Sequence, residues 1–182
     1  LRQVSLRHIC RFISSTMDLL RYSWIAGRGE KMFVRMIPVG PLEANCYVFG
    51  QKGGEAAVID PGDDSSIILK KINENECSMK YIILTHGHYD HVTAAEDIKS
   101  STGAEILIHK NDAGVFSEGP ESDHYLFGMP VRKVEVDRYL EGGETIKLGD
   151  MDLHIIHTPG HTPGCICIQV ENVLFSGDTL FA

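Results

Sequence analysis

Four metal-ligand side chains crowd into six residues directly after a short apolar run, and this crowding constrains the fold more than any other feature of the chain. The run Tyr81-Ile82-Ile83-Leu84 has the length and β-branched character of a buried strand, and it leads into Thr85-His86-Gly87-His88-Tyr89-Asp90-His91. Imidazole nitrogens and carboxylate oxygens are the donors that a borderline cation such as Zn2+ takes, at roughly 2.0–2.2 Å. Packed together without a cation, the four side chains would leave polar groups poorly satisfied. His86 and His88 are two residues apart, so in an extended segment they point the same way. Asp90 and His91 fall on the following turn and can face a second metal. A lone histidine here would read as a hydrogen-bonded loop residue; the H-x-H-x-D-H spacing after a buried strand reads as a metal site.

Composition narrows the function classes. A chain of 182 residues is long enough for one domain with a substantial core. Its net charge of −8 argues against a nucleic-acid surface, which needs a basic face, yet leaves room for an anionic substrate because bound cations dominate the local field. No run approaches the ~18 apolar residues of a membrane span. Five scattered cysteines, Cys10, Cys46, Cys77, Cys165 and Cys167, form no disulfide framework, so a reducing cytoplasm is the expected location. Residues 1–31 carry six basic and two acidic side chains, a net +4 that leaves −12 on the remainder. This Arg- and Ser-rich stretch is read as an extension outside the domain, either upstream or leader sequence, with the domain spanning 32–182.

From Met32 the pattern becomes regular. Strands are expected over Met32–Pro38, Cys46–Phe49 and Ala56–Asp60, the last closed by Pro61-Gly62. Asp63, Asp64 or Ser65 is expected to cap a helix carrying Ile68, Leu69 and Ile72 on its apolar face. A short helix over Thr93–Ser101 and a strand over Glu105–His109 should follow the histidine loop. Asn111–Pro130 reads as a helix and loop lying over the site, and Val131–Val136 as a strand. Two hairpins close the pattern: Glu144–Leu148 with Met151–Ile156 around Gly149-Asp150, and Cys165–Val170 with Val173–Ser176 around Glu171-Asn172. Short strands alternating with helices imply an α/β protein.

Further ligand candidates lie downstream. His157-Thr158-Pro159-Gly160-His161-Thr162-Pro163-Gly164 is a rigid turn between strands; proline fixes φ and glycine permits φ > 0, so it can hold His161 at a set position. His157 is read as a strand-end or supporting residue. Asp178, beside Gly177 at a strand end, has two carboxylate oxygens that can bridge two cations. His109, His124 and His154 lack such context and read as surface or hydrogen-bonded histidines. Cys165 and Cys167 read as small apolar strand residues rather than ligands. Asp60 is either a turn aspartate before Pro61-Gly62 or the group that orients a ligand histidine, and the Tyr89 ring either packs or points its hydroxyl at the site.

Val58-Ile59-Asp60-Pro61-Gly62, Thr85–His91, Pro159–Gly164 and Gly177-Asp178-Thr179-Leu180-Phe181 together resemble the metallo-β-lactamase superfamily. The resemblance implies an αββα sandwich of two mixed β-sheets with a dinuclear site at one sheet edge. It gives one metal to His86, His88 and His161, the other to Asp90 and His91, and makes Asp178 the bridge. Zn2+ is the expected cofactor, two per complete domain, with iron or manganese as alternatives. Within the superfamily the pattern is most similar to hydroxyacylglutathione hydrolase (glyoxalase II) and its short relatives. The common zinc β-lactamases carry cysteine at the position of Asp178, which disfavours lactam hydrolysis. The family pattern continues past this aspartate to a final histidine for the second metal. No histidine follows Asp178 here, so the domain is expected to be incomplete at its C-terminus.

The expected activity is hydrolysis of a small-molecule thioester or ester, foremost a thioester of the hydroxyacylglutathione type, by a metal-bound hydroxide that Asp90 orients, without nucleic-acid or membrane partners. A thiolate leaving group needs little protonation, so no dedicated general acid is required. The alternatives are a mono-iron persulfide dioxygenase on the same scaffold and an inactive metal-binding fragment.

Overall fold

Strands that are apolar on both faces need cover on both faces, and Ala56–Ile59, Tyr81–Leu84 and Ile106–Ile108 are of this kind. The computed structural model describes residues 32–116 and 134–180. In it these runs are the central strands of a six-stranded sheet, in the order β1 (Met32–Val39), β2 (Ala44–Gln51), β3 (Glu55–Ile59), β4 (Ser78–Leu84), β5 (Glu105–His109) and β6 (Arg138–Leu140). β1, β2 and β3 are antiparallel neighbours, whereas β3 to β6 run parallel. Parallel neighbours need crossovers, which α1 (Ser65–Glu74) and α3 (Ala95–Thr102) supply between β3, β4 and β5. The second sheet has the order β10 (Val173–Phe175), β9 (Ile166–Val170), β8 (Met151–His157) and β7 (Thr145–Leu148). Consecutive strands joined by short turns make it antiparallel throughout its described strands, whereas the first sheet is mixed.

Alternation along each strand sorts the core into two layers. Val58, Ile82, Leu84, Ile106 and Ile108 face Ile68 and Ile72 of α1 and Ala95 and Ile98 of α3. Their neighbours Ala57, Ile59, Ile83 and Leu107 face Leu148, Leu153, Ile155, Ile166 and Ile168 of the second sheet. Each such buried aliphatic side chain contributes about 1.5–3 kcal/mol relative to exposure. The described architecture is thus that of the expected sandwich, with the two sheets stacked and helices on the outer face of the larger one. None of the described helices is long and apolar enough to cross a membrane.

Several local expectations shift. The helix expected over 93–101 is α3 (Ala95–Thr102), and a short helix that was not expected, α2 (Tyr89–Val92), precedes it inside the histidine loop, where the Thr93 hydroxyl donates to the Tyr89 carbonyl at 2.6 Å. Asp64 stands at the start of α1, but its carboxylate accepts from the Gly40 N–H at 3.0 Å instead of capping the helix. Of the strand expected over 131–136, residues 131–133 lie outside the described residues and 134–136 are irregular, the described strand being β6 at Arg138–Leu140. Asp137 sets that entry: its carboxylate accepts from the Ile106 N–H at 2.8 Å, its own N–H donates to the Ile106 carbonyl, and it pairs with Lys99. Of the segment expected to lie over the site, residues 113–116 form a 3-10 turn. Residues 117–133, which include His124, lie outside the described residues, as do 1–31.

Candidate metal centre

Ligands of α/β sheets gather at the carboxyl ends of parallel strands, and here the ends of β3, β4 and β5 meet the β8–β9 loop and the turn after β10. Asp60, just past β3, is 1% exposed and organises the group. One carboxylate oxygen accepts the Thr85 N–H at 2.7 Å; the other accepts the Thr85 hydroxyl at 2.7 Å and lies 3.0 Å from His91 Nδ1. Because the Thr85 hydroxyl spends its proton on Asp60, it accepts from His86 Nδ1 at 3.1 Å. His86 therefore carries its proton on Nδ1 and turns an Nε2 lone pair into the site, while His91 donates from Nδ1 to Asp60 and points Nε2 the same way. Of the two readings of Asp60, the structure shows the orienting one.

Three nitrogens converge at the first cluster. His88 Nδ1 lies 3.1 Å from His86 Nε2 and 2.9 Å from His161 Nε2. Burial pushes His86 down to about 2, helped by the neighbouring histidines His91, His88 and His161, and burial with His161 also lowers His88. Both are thereby held neutral, the form that ligates a cation. His91 behaves oppositely. Burial disfavours its charge, but the Asp60 carboxylate, with Asp90 and Asp178, outweighs burial and raises it to about 9.

Asp178 joins the two halves. It sits in the 3-10 turn Gly177–Thr179, with Oδ1 3.4 Å from His91 Nε2 and Oδ2 3.4 Å from His161 Nε2. Donor atoms of His86, His88 and His161 lie within 4.8 Å of one another, as do those of His86, His91 and Asp178. Asp90 flanks the second group, its Oδ2 3.5 Å from His91 Nε2. Converging imidazole nitrogens beside two carboxylates form a donor set that fits a divalent cation. The donor chemistry suits zinc, iron or manganese.

Other candidates fall outside the cluster. His157 ends β8, stacks on the buried His109 ring at 4.1 Å between centroids and lies 3.0 Å from the Pro163 carbonyl through Nε2. His154 is exposed and bonded to the Thr145 hydroxyl. The Cys165 thiol accepts the Thr162 N–H at 3.2 Å, and Cys167 lies 3.6 Å from the Thr158 hydroxyl. The Tyr89 hydroxyl is enclosed without a hydrogen-bond partner, which favours its packing role. Sequence reasoning missed Asp112, 2% exposed, whose carboxylate accepts from both histidine loops. A single aspartate in a polar turn carries no local signal.

The model of the metallo-beta-lactamase superfamily matches residues 39–182. GloC of Haemophilus influenzae, a hydroxyacylglutathione hydrolase, is 37% identical over 155 residues, covering 82% of this chain and 73% of its own. Among solved structures, the B3 metallo-beta-lactamase BLEG-1 superposes with a TM-score of 0.75 at 29% identity, covering 82% of this chain and 74% of its own. A protein crystallised in a di-iron-bound form superposes with a TM-score of 0.69 at 28% identity, covering 81% and 73%.

Proposed function

The chain belongs to the metallo-beta-lactamase superfamily, and from that premise we propose that it is a metal-dependent hydrolase of thioesters of the hydroxyacylglutathione type. The observation that carries the reading is the division of Asp178, one oxygen toward His91 and the other toward His161, between two groups of donors that share His86. His86, His88 and His161 would hold one cation, Asp90 and His91 a second, and Asp178 both. Such cations polarise a carbonyl oxygen and lower the pKa of bound water toward ~7. The residues of the chain do the rest. Asp60 and Thr85 fix which ring nitrogens face the site, and the half-buried carboxylate of Asp90 accepts a hydrogen bond from the attacking water and orients it. A thiolate leaves without needing a proton, which suits a site lined by bases. The relative from Haemophilus influenzae supports the thioester class. The substrate is a small molecule, and the free thiols of Cys46, Cys77, Cys165 and Cys167 suit a reducing cytoplasm.

The test is steady-state hydrolysis of an acyl-glutathione thioester by the zinc-loaded chain and by His88→Ala, with the metal content of each measured. Loss of a ligand should reduce turnover by at least roughly 100-fold, beyond what partners of ligands cost. Undiminished turnover in a metal-depleted His88→Ala protein would overturn the reading. A second reading, lactam hydrolysis, is favoured by the superposition on a B3 enzyme. A β-lactam in the same assay separates the two, and oxygen uptake with a persulfide by an iron-loaded sample tests the dioxygenase alternative.

A further inference from the structure

His88 and His161 are exposed residues whose rings meet each other and the buried His86 ring. They come from different sheets, on the loops after β4 and β8, yet their ring nitrogens lie 2.9 Å apart. The placement of the two loops limits that distance, and the loops meet at Asp112. One carboxylate oxygen accepts the Gly87 N–H at 3.1 Å, between His86 and His88, together with the Thr162 hydroxyl at 2.6 Å, next to His161. The other accepts the Gly164 N–H at 2.7 Å. The fit leaves no slack: a Cβ at Gly164 would stand 2.5 Å from the Asp112 carboxyl carbon. The turn bearing Asp112 is itself anchored, with its N–H donating to the His109 carbonyl, the Asn111 side chain reaching the Pro163 carbonyl, and the His157 ring stacked on His109.

We propose that Asp112 is a positioning residue that clasps the His86–His88 loop to the His161 loop and thereby presets the three-histidine site for its cation. The proposal rests on the metal-dependent reading above. It concerns the site rather than the fold, because the two sheets are joined independently nearby by the Ile166 N–H donating to the Thr85 carbonyl at 2.9 Å. Charge and shape both matter. Asn has the same outline, but its amide nitrogen must replace an oxygen that accepts from Gly87 or Gly164, setting donor against donor and freeing one loop.

The experiment compares the full chain with Asp112→Asn, Asp112→Ala and a core variant remote from the site, Ile72→Val, that is destabilised without touching either loop. Zn2+ affinity is read by chelator competition, and coordination geometry by the visible absorption of the Co2+-substituted proteins. Asp112→Asn should weaken Zn2+ binding about 10–100-fold, as partners of metal ligands do, and alter the Co2+ spectrum, while Ile72→Val lowers the melting temperature and leaves both readouts as in the parent. Should Asp112→Ala fail to fold, Thr162→Val removes one arm of the clasp and should give a smaller loss in the same direction. Parent-like affinity and spectrum in Asp112→Asn would overturn the clasp alone. A parent chain that binds neither Zn2+ nor Co2+ would overturn the metal-dependent reading and the clasp with it. An equal loss in Ile72→Val would reduce Asp112 to a contributor to general stability.

Discussion

Asp60 holds φ 51, a backbone region that non-glycine residues rarely adopt, and its strained turn aims one carboxylate at both Thr85 and His91. The arrangement makes the metal-free protein sensitive to pH in both directions. His91 is raised to about 9 from an ordinary 6.5, so its contribution is complete below pH 6.5 and is lost as pH climbs through 9. His86 is lowered to about 2, so the unfolded chain gains a proton that the native state refuses, and stability falls as pH drops below 6.5. At full expression the His91 shift is worth on the order of 3 kcal/mol and the larger His86 shift on the order of 6 kcal/mol. Denaturant melts of the chelator-treated protein should therefore peak near pH 6.5 and fall toward both pH 5 and pH 9; a flat profile would contradict the two assignments. The same residues show what a sequence can reveal. His86, His88 and His161 were legible because ligand-type side chains sat in a spacing that chemistry explains. Asp60 was ambiguous because a turn before Pro61-Gly62 explains an aspartate equally well. Asp112 was invisible, since its partners lie 25, 50 and 52 residues away and only the folded chain brings them to it.

At the scale of elements, β3 and α2 fit together through a glycine. A Cβ on Gly62 would lie 1.6 Å from the Asp90 carbonyl oxygen and 2.5 Å from its carbon, and backbone atoms cannot yield as a side-chain tip does. Gly62→Ala must therefore push α2 away and carry Asp90 and His91 with it. The expected outcome is a loss of about 1–3 kcal/mol, the range of overpacking in a tight interior, together with impaired binding of the cation that Asp90 and His91 serve. Thermal melts and metal stoichiometry measure both, and a variant that keeps full stoichiometry would show that α2 accommodates the shift. The strands were readable where residue type and burial agree, as in β4, whose last four residues are all buried, and in the hairpin of β7 and β8, with its Gly149-Asp150 turn. β6 at Arg138–Leu140 was not legible, because its pairing with β5 is decided by Asp137, whose backbone and side chain bond the Ile106 N–H and carbonyl. Long-range hydrogen bonding overrode local propensity there.

The described residues form two sheets with a seam between them, and the candidate centre lies at the open end of that seam. His86, His88 and His91 follow the six-stranded sheet, while His161 and Asp178 belong to the four-stranded one. The hydrophobic layer between the sheets is non-directional and sets no ångström-scale register at its edge, so cations shared across the seam would staple the sheets as well as serve chemistry. Ligands that bind only the native state stabilise it by about 2.7 kcal/mol at one hundred times the dissociation constant and about 4.1 at one thousand times. For a domain of this size, 1 kcal/mol corresponds to roughly 2–4 °C in melting temperature. Calorimetry with saturating Zn2+ and then with excess chelator should thus show a fall of about 5–15 °C. His161→Ala, which removes the four-stranded sheet's share of the first cluster, should show most of that fall even with Zn2+ present. If chelation leaves the melting temperature of the parent chain unchanged, no cation spans the seam.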